Sequence, residues 1–151
     1  MNEKARILLI DDDKTITRTL SKALEEAGYK VDTAETGAEA LEKARTNFYN
    51  LALIDIRLPD MKGTKLLTAM KDTIPKMVKI ILTGYPALQN AIEAVNEGAD
   101  AYITKPVKMD ELLNAVKKHL KRQREEKQYS EQKVADYVET RIKQLDQEKS
   151  P

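Results

Sequence analysis

Acid, hydroxyl and amine side chains stand just past the ends of short apolar runs in this chain, and as a set they suit a divalent metal and a phosphoryl group. Asp11 and Asp12 follow the run 7–10, Asp55 follows 51–54, Thr83 follows 80–82 and Lys105 follows 101–104. In an open α/β sheet, ligands sit in the crevice beyond the carboxyl ends of the strands. Residues far apart in sequence therefore meet there if the strands are parallel neighbours.

Two carboxylates about 4 Å apart repel by roughly 4 kcal/mol at an effective dielectric near 20. The Asp11–Asp12 pair thus calls for a cation or a raised pKa. With no cysteine in the chain, an oxygen-liganded Mg²⁺ or Mn²⁺ is the expected ion. Asp13 is read instead as the N-cap of the next helix. Asp55 ends the most apolar run, where an acid has no packing role. A carboxylate beside a metal and an amine can attack phosphorus and form an aspartyl phosphate. The Thr83 hydroxyl can donate to a phosphoryl oxygen, although a lone threonine is more often a strand former or a cap. Lys105 can neutralise such an oxygen as a point charge, and Pro106 after it favours a cis peptide. Three carboxylates, a divalent ion and one ammonium sum to a neutral resting site.

Positioning this set takes an alternation of two periods, repeated five times. The near-continuous apolar runs at 7–10, 51–54 and 80–82 read as strands buried on both faces of a parallel sheet. Residues 31–34 and 101–104 read as strands mainly by their place in the rhythm. Ile16, Leu20, Ala23, Leu24 and Ala27 recur at helical spacing up to Gly28, a C′ residue. Thr36 and Glu39 form a capping-box pair opening a helix expected to bury Ala38 and Leu41. Leu66, Leu67 and Met70 mark a third helix, and Leu88, Ala91, Ile92 and Val95 a fourth, ended by Gly98. Met109, Leu112, Leu113, Val116 and Leu120 mark a fifth. The expected fold is a doubly wound α/β domain with a five-stranded parallel sheet.

A length of 151 residues allows one domain with a tail, here 4–122 and 123–151. Net charge +1 gives no global pull toward nucleic acid or membrane. No apolar run approaches the roughly 18–20 residues a membrane span needs, and residues 1–6 have no secretory pattern. The cytoplasm is the expected location.

In combination, ILLIDDD at 7–13, LALIDIRLPDMKG at 51–63, ILTGY at 81–85 and GADAYITKP at 98–106 make residues 4–122 resemble the receiver domain of two-component response regulators. The resemblance implies the flavodoxin-like strand order 2-1-3-4-5 and a phosphoacceptor at Asp55. It also implies Mg²⁺ held by Asp12, Asp55 and the Arg57 backbone carbonyl, with Asp11 on a metal-bound water. Thr83 and Lys105 would bind the phosphoryl group, and Thr83 and Tyr102 would form the switch. By the residues alone Tyr102 reads as half-buried strand packing. A histidine kinase would be the phosphodonor, and the face of the fourth helix, fifth strand and fifth helix would change on phosphorylation. Such a domain is not an enzyme beyond its own phosphorylation and dephosphorylation. Arg57 and Tyr85 stand where bulky side chains can cover the phosphoryl group. His119, the sole histidine, reads as a helix-surface residue in a basic stretch.

The competing reading is a haloacid-dehalogenase-like Mg²⁺-dependent phosphatase, since DDDKT at 11–15 fits D-x-D-x-T with Asp11 as nucleophile and Asp13 as general acid. It leaves Asp55 and Lys105-Pro106 unexplained. A flavin-binding relative of the fold is disfavoured because the acidic first loop would repel the cofactor phosphate. After Leu120, residues 121–133 carry one apolar side chain, Tyr129, and then Val134, Tyr137, Val138, Ile142 and Leu145 resume an apolar stripe. This tail is too short for a DNA-binding domain with its own core. Its stripe suits a homodimer, a downstream protein partner or the receiver's own surface.

Overall fold

The computed structural model describes residues 4–70, 73, 75–84 and 87–149. Five strands alternate with five helices: β1 (Arg6–Ile10), α1 (Lys14–Glu26), β2 (Lys30–Ala34), α2 (Gly37–Thr46), β3 (Leu51–Asp55), α3 (Gly63–Ala69), β4 (Val78–Thr83), α4 (Leu88–Asn96), β5 (Ala101–Thr104) and α5 (Met109–Lys149). The strands form one sheet in the order β2-β1-β3-β4-β5. All pairings are parallel. This is the doubly wound arrangement expected from the alternating periods, in the flavodoxin-like strand order that the resemblance implies.

Because strand side chains alternate between faces, each apolar run feeds two cores. Leu8, Ile10, Ala52, Ile54 and Ile81 pack toward α2, α3 and α4. Ile7, Leu9, Leu53, Ile80 and Leu82 pack with Leu20 and Leu24 of α1 and Leu112, Val116 and Leu120 of α5. Gly28 (φ +101°) and Gly98 (φ +99°) close α1 and α4 in the left-handed region, where a Cβ would be strained. Tyr29 and Ala99 then donate back to Leu24 and Ala94 carbonyls at 3.1 and 2.9 Å.

Two helices bury other residues than the spacing suggests. In α2 the buried positions are Gly37 and Ala40; Ala38 is exposed and Leu41 only partly covered. In α4 Ala94 is fully buried, whereas Ile92 and Val95 are 44% and 65% exposed. Both helices carry two apolar stripes, and they approach the sheet on the small-residue one. Tyr85 lies outside the described residues, as does the Leu88 side chain.

The fifth helix continues without interruption through the polar stretch and the stripe, 41 residues in all, about 60 Å. Among the described side chains Gln123 is its last buried residue, one position into the segment expected to be the tail. Its amide donates to the carbonyls of Asn50 (2.9 Å) and Lys76 (2.7 Å) and accepts from Asn50 Nδ2 (3.3 Å). Residues 124–148 are all exposed. Among the described residues, no helix is long and apolar enough to cross a membrane.

Candidate functional site

Parallel pairing brings the C-terminal ends of β1, β3, β4 and β5 to one edge of the sheet. Asp11 leaves β1 with its amide bonded to the Ala34 carbonyl (3.0 Å) and its side chain fully buried. Its Oδ1 accepts from the Asp13 amide (3.0 Å). Asp12 between them is exposed. Asp13 is the N-cap of α1, accepting from Thr15 and Ile16 amides at 2.9 and 3.2 Å. Its carboxylate is engaged in starting the helix, and the phosphatase reading, which needs it as general acid, finds no support here.

Asp55 is the last residue of β3 and nearly buried. One oxygen accepts from the Arg57 amide (3.2 Å); the other lies 3.5 Å from Lys105 Nζ. The same ammonium is 2.7 Å from Asp11 Oδ2, so it bridges the two buried acids. The Lys105-Pro106 peptide is cis. Thr83 ends β4, fully buried, and its carbonyl accepts from the Lys105 amide (2.6 Å). Tyr102 lies in β5, half-buried against the cluster that includes Ile81. The Arg57 side chain is exposed.

The loop after β3 is held by two contacts that local sequence does not announce. A Cβ at Gly63 would collide with the Asp55 carbonyl and lie 2.9 Å from Ile56 Cα, so only glycine lets α3 start this close to the acid. Asp60, in the turn-rich stretch after β3, accepts from the Gly37 and Ala38 amides at 2.8 and 3.0 Å. It thereby ties the loop to the α2 N-terminus, and these two N–H donors lower its pKa. No signal within the loop could reveal a partner more than twenty residues upstream.

Electrostatically the cluster is short of positive charge. Burial first, and then the neighbouring Asp11 carboxylate, push the Asp55 pKa up against the opposing Lys105 ammonium and Arg57 amide. Burial works against the Lys105 charge, but Asp11 and Asp55 outweigh it and raise its pKa. One oxygen each from Asp11, Asp12 and Asp55 fall within 4.8 Å of one another. Three hard carboxylate donors, one open to water and none accompanied by sulfur or imidazole, fit a small divalent cation.

Residues 7–117 match the family model of the response regulator receiver domain, and the chain belongs to that family. It is 35% identical over 119 residues to the alginate biosynthesis transcriptional regulatory protein AlgB of Pseudomonas putida, covering 79% of this chain and 27% of that protein. Among solved structures it is similar to a CheY-like receiver domain protein from Methanospirillum hungatei, with 46% identity and TM-score 0.78 over 82% of this chain and 99% of that one. A response regulator from Burkholderia pseudomallei, solved with a phosphorylated aspartic acid and a calcium ion, shares 31% identity and TM-score 0.71 over 82% of this chain and 72% of that one. The chain thus spans about a quarter of the length of its AlgB relative.

Proposed function

We propose that the chain is a phosphorylation switch in which Asp55 accepts a phosphoryl group from the phosphohistidine of a histidine kinase. The N–P bond of the donor breaks as an Asp55 carboxylate oxygen forms the new O–P bond. The observation that carries this reading is the placement of Asp55 at the mouth of the sheet, 3.5 Å from an ammonium that also contacts Asp11. Asp12, Asp55 and the Arg57 carbonyl would hold Mg²⁺ or Mn²⁺, with Asp11 reaching it through water. When bound, the cation supplies positive charge that offsets the carboxylates and the incoming phosphoryl oxygens. Lys105 neutralises one of those oxygens, and the Thr83 hydroxyl donates to another.

The transferred group makes contacts in the phosphorylated state that the resting state lacks, and only such differential contacts can shift a conformational equilibrium. Thr83 moving toward the phosphoryl group, with Tyr102 turning inward behind it, would carry the change to α4, β5 and α5. The receiver unit is taken to end at Gln123, with the exposed helix beyond it as an extension toward a downstream protein. A cytoplasmic setting follows from a kinase donor, and the only chemistry catalysed is the domain's own phosphorylation and dephosphorylation.

Incubation with acetyl phosphate and Mg²⁺ is expected to add one hydroxylamine-labile phosphoryl group. Asp55→Asn abolishes it; Asp13→Asn, which keeps a good N-cap residue, leaves it largely intact. Loss at Asp13 with indifference at Asp55 would overturn the assignment and restore the phosphatase reading.

A further inference from the structure

The exposed part of α5 presents an apolar seam with none of the described residues of its own chain packed against it. Val138, Ile142 and Leu145 are 48%, 54% and 41% exposed, and every residue from 124 to 148 faces water. A continuous helix cannot fold this stripe back onto the receiver. A lone amphipathic helix is marginal in water, and its stability comes from packing its apolar face.

Once α5 is one unbroken helix, the seam has a definite register. Ala135, Val138, Ile142 and Leu145 advance by three, four and three residues, a heptad alternation of a and d positions. The stripe read through Val134 instead comes closer to an 11-residue repeat, but Val134 falls beside the seam, at g. Ile142 at a followed by Leu145 at d is the combination that favours two parallel strands. Tyr137 and Tyr129 fall off the seam, and Lys133 Nζ lies 5.2 Å from the Tyr129 ring centre on the outer face.

Flanking charge selects the partner and its direction. In a parallel pair, each g side chain faces the e side chain five residues further along the other helix. Arg141 at g would thus face Asp146 of a second copy, and the reverse pair forms by symmetry. An antiparallel pair would instead set the e rows, with Glu139 and Asp146, against each other. We propose that residues 135–148 pair in parallel with the same segment of a second copy, placing two receivers side by side at one end. This inference does not depend on phosphorylation at Asp55.

The test uses the full chain without phosphodonor, in sedimentation equilibrium over a dilution series reaching high concentration, because the seam is short. Reversible dimerisation is expected, weakened at least tenfold by Val138→Asp with Ile142→Asp. Those positions are exposed and outside the receiver, so folding is preserved. Arg141→Glu and Asp146→Arg should each weaken the dimer, and the two together should restore it. Since the chain has no cysteine, Ala135→Cys treated with oxidised glutathione reports direction: a parallel seam cross-links Cys to Cys, whereas Tyr129→Cys does not. A monomer throughout the series overturns the proposal. So does a dimer indifferent to the seam substitutions, or one that fails to cross-link at position 135.

Discussion

The two ends of the sheet bury polar side chains in opposite ways. At the C-terminal end, Asp11, Asp55 and Lys105 are charged, with one ammonium shared between two acids. At the N-terminal end, Gln123 and Asn50 are neutral, and every contact between them joins a donor to an acceptor. The Asn50 side chain also accepts from the Arg6 amide at 2.8 Å. A neutral amide clamp stabilises by adding hydrogen bonds to backbone groups, here the Lys76 carbonyl and the Asn50 carbonyl, which also accepts from the Val78 amide (3.0 Å). A carboxylate cluster with too little positive charge does the reverse: it is tolerated, and the imbalance leaves it receptive to a cation.

Breaking each end should therefore fail differently. Lys105→Met leaves two buried acids with no cation, and removing one partner of an enclosed pair costs about 3–5 kcal/mol. With Lys105 still 16% exposed, about 2–3 kcal/mol is expected in urea unfolding without metal, together with loss of phosphorylation. At the opposite end, Gln123→Ala removes a donor from the Lys76 carbonyl, an acceptor from the Asn50 side-chain amide and one of two donors from the Asn50 carbonyl, which keeps the Val78 amide. A loss of about 1–2 kcal/mol is expected, with acetyl phosphate labelling at Asp55 unchanged. If labelling fell as well, the two ends would not be independent.

Smaller effects sharpen the electrostatic half of the contrast. Mg²⁺ at about ten times its dissociation constant should add about 1.4 kcal/mol by linkage. Asp12→Ala should lose that increment, read as a metal-dependent rise in melting temperature. The smallest effect concerns pH in metal-free protein. Because the folded-state pKa of Asp55 is raised, the folded state binds the proton more tightly than the unfolded chain does, and stability falls as pH rises from the ordinary carboxylate pKa through the raised one. Asp55→Asn should therefore melt higher than the parent at neutral pH, and the gap should close in acid below the ordinary carboxylate pKa. A gap independent of pH would mean that ionisation of Asp55 does not strain the fold.

The alternation of strands and helices, the burial of the central strands on both faces and the residues gathered at the mouth were legible in the sequence because they follow from period and from strand ends, whereas the strand order followed from the family resemblance. Continuous apolar runs announce strands covered on both faces, and a charged residue directly after such a run has only the sheet edge to occupy. The inward face of α4 was not legible in this way. Ile92 and Val95 outweigh Ala94 on any transfer scale, yet Ala94 is buried, since a short side chain permits closer approach to the sheet. Lys79 shows the same limit: within β4 it is 5% exposed, with its ammonium donating to the Leu67 carbonyl (3.2 Å). A lysine in the sequence does not announce an acceptor twelve residues away.

By itself, then, the sequence determined which chemical groups stand at the strand ends and that one α/β receiver unit carries them. Tertiary structure alone decided that one ammonium serves both Asp11 and Asp55, that Asp60 ties its loop to α2, and that Gln123 closes the opposite end. The division has a physical reason: local period and side-chain type are fixed along the chain, whereas charge compensation and hydrogen-bond satisfaction belong to neighbours that only folding brings together.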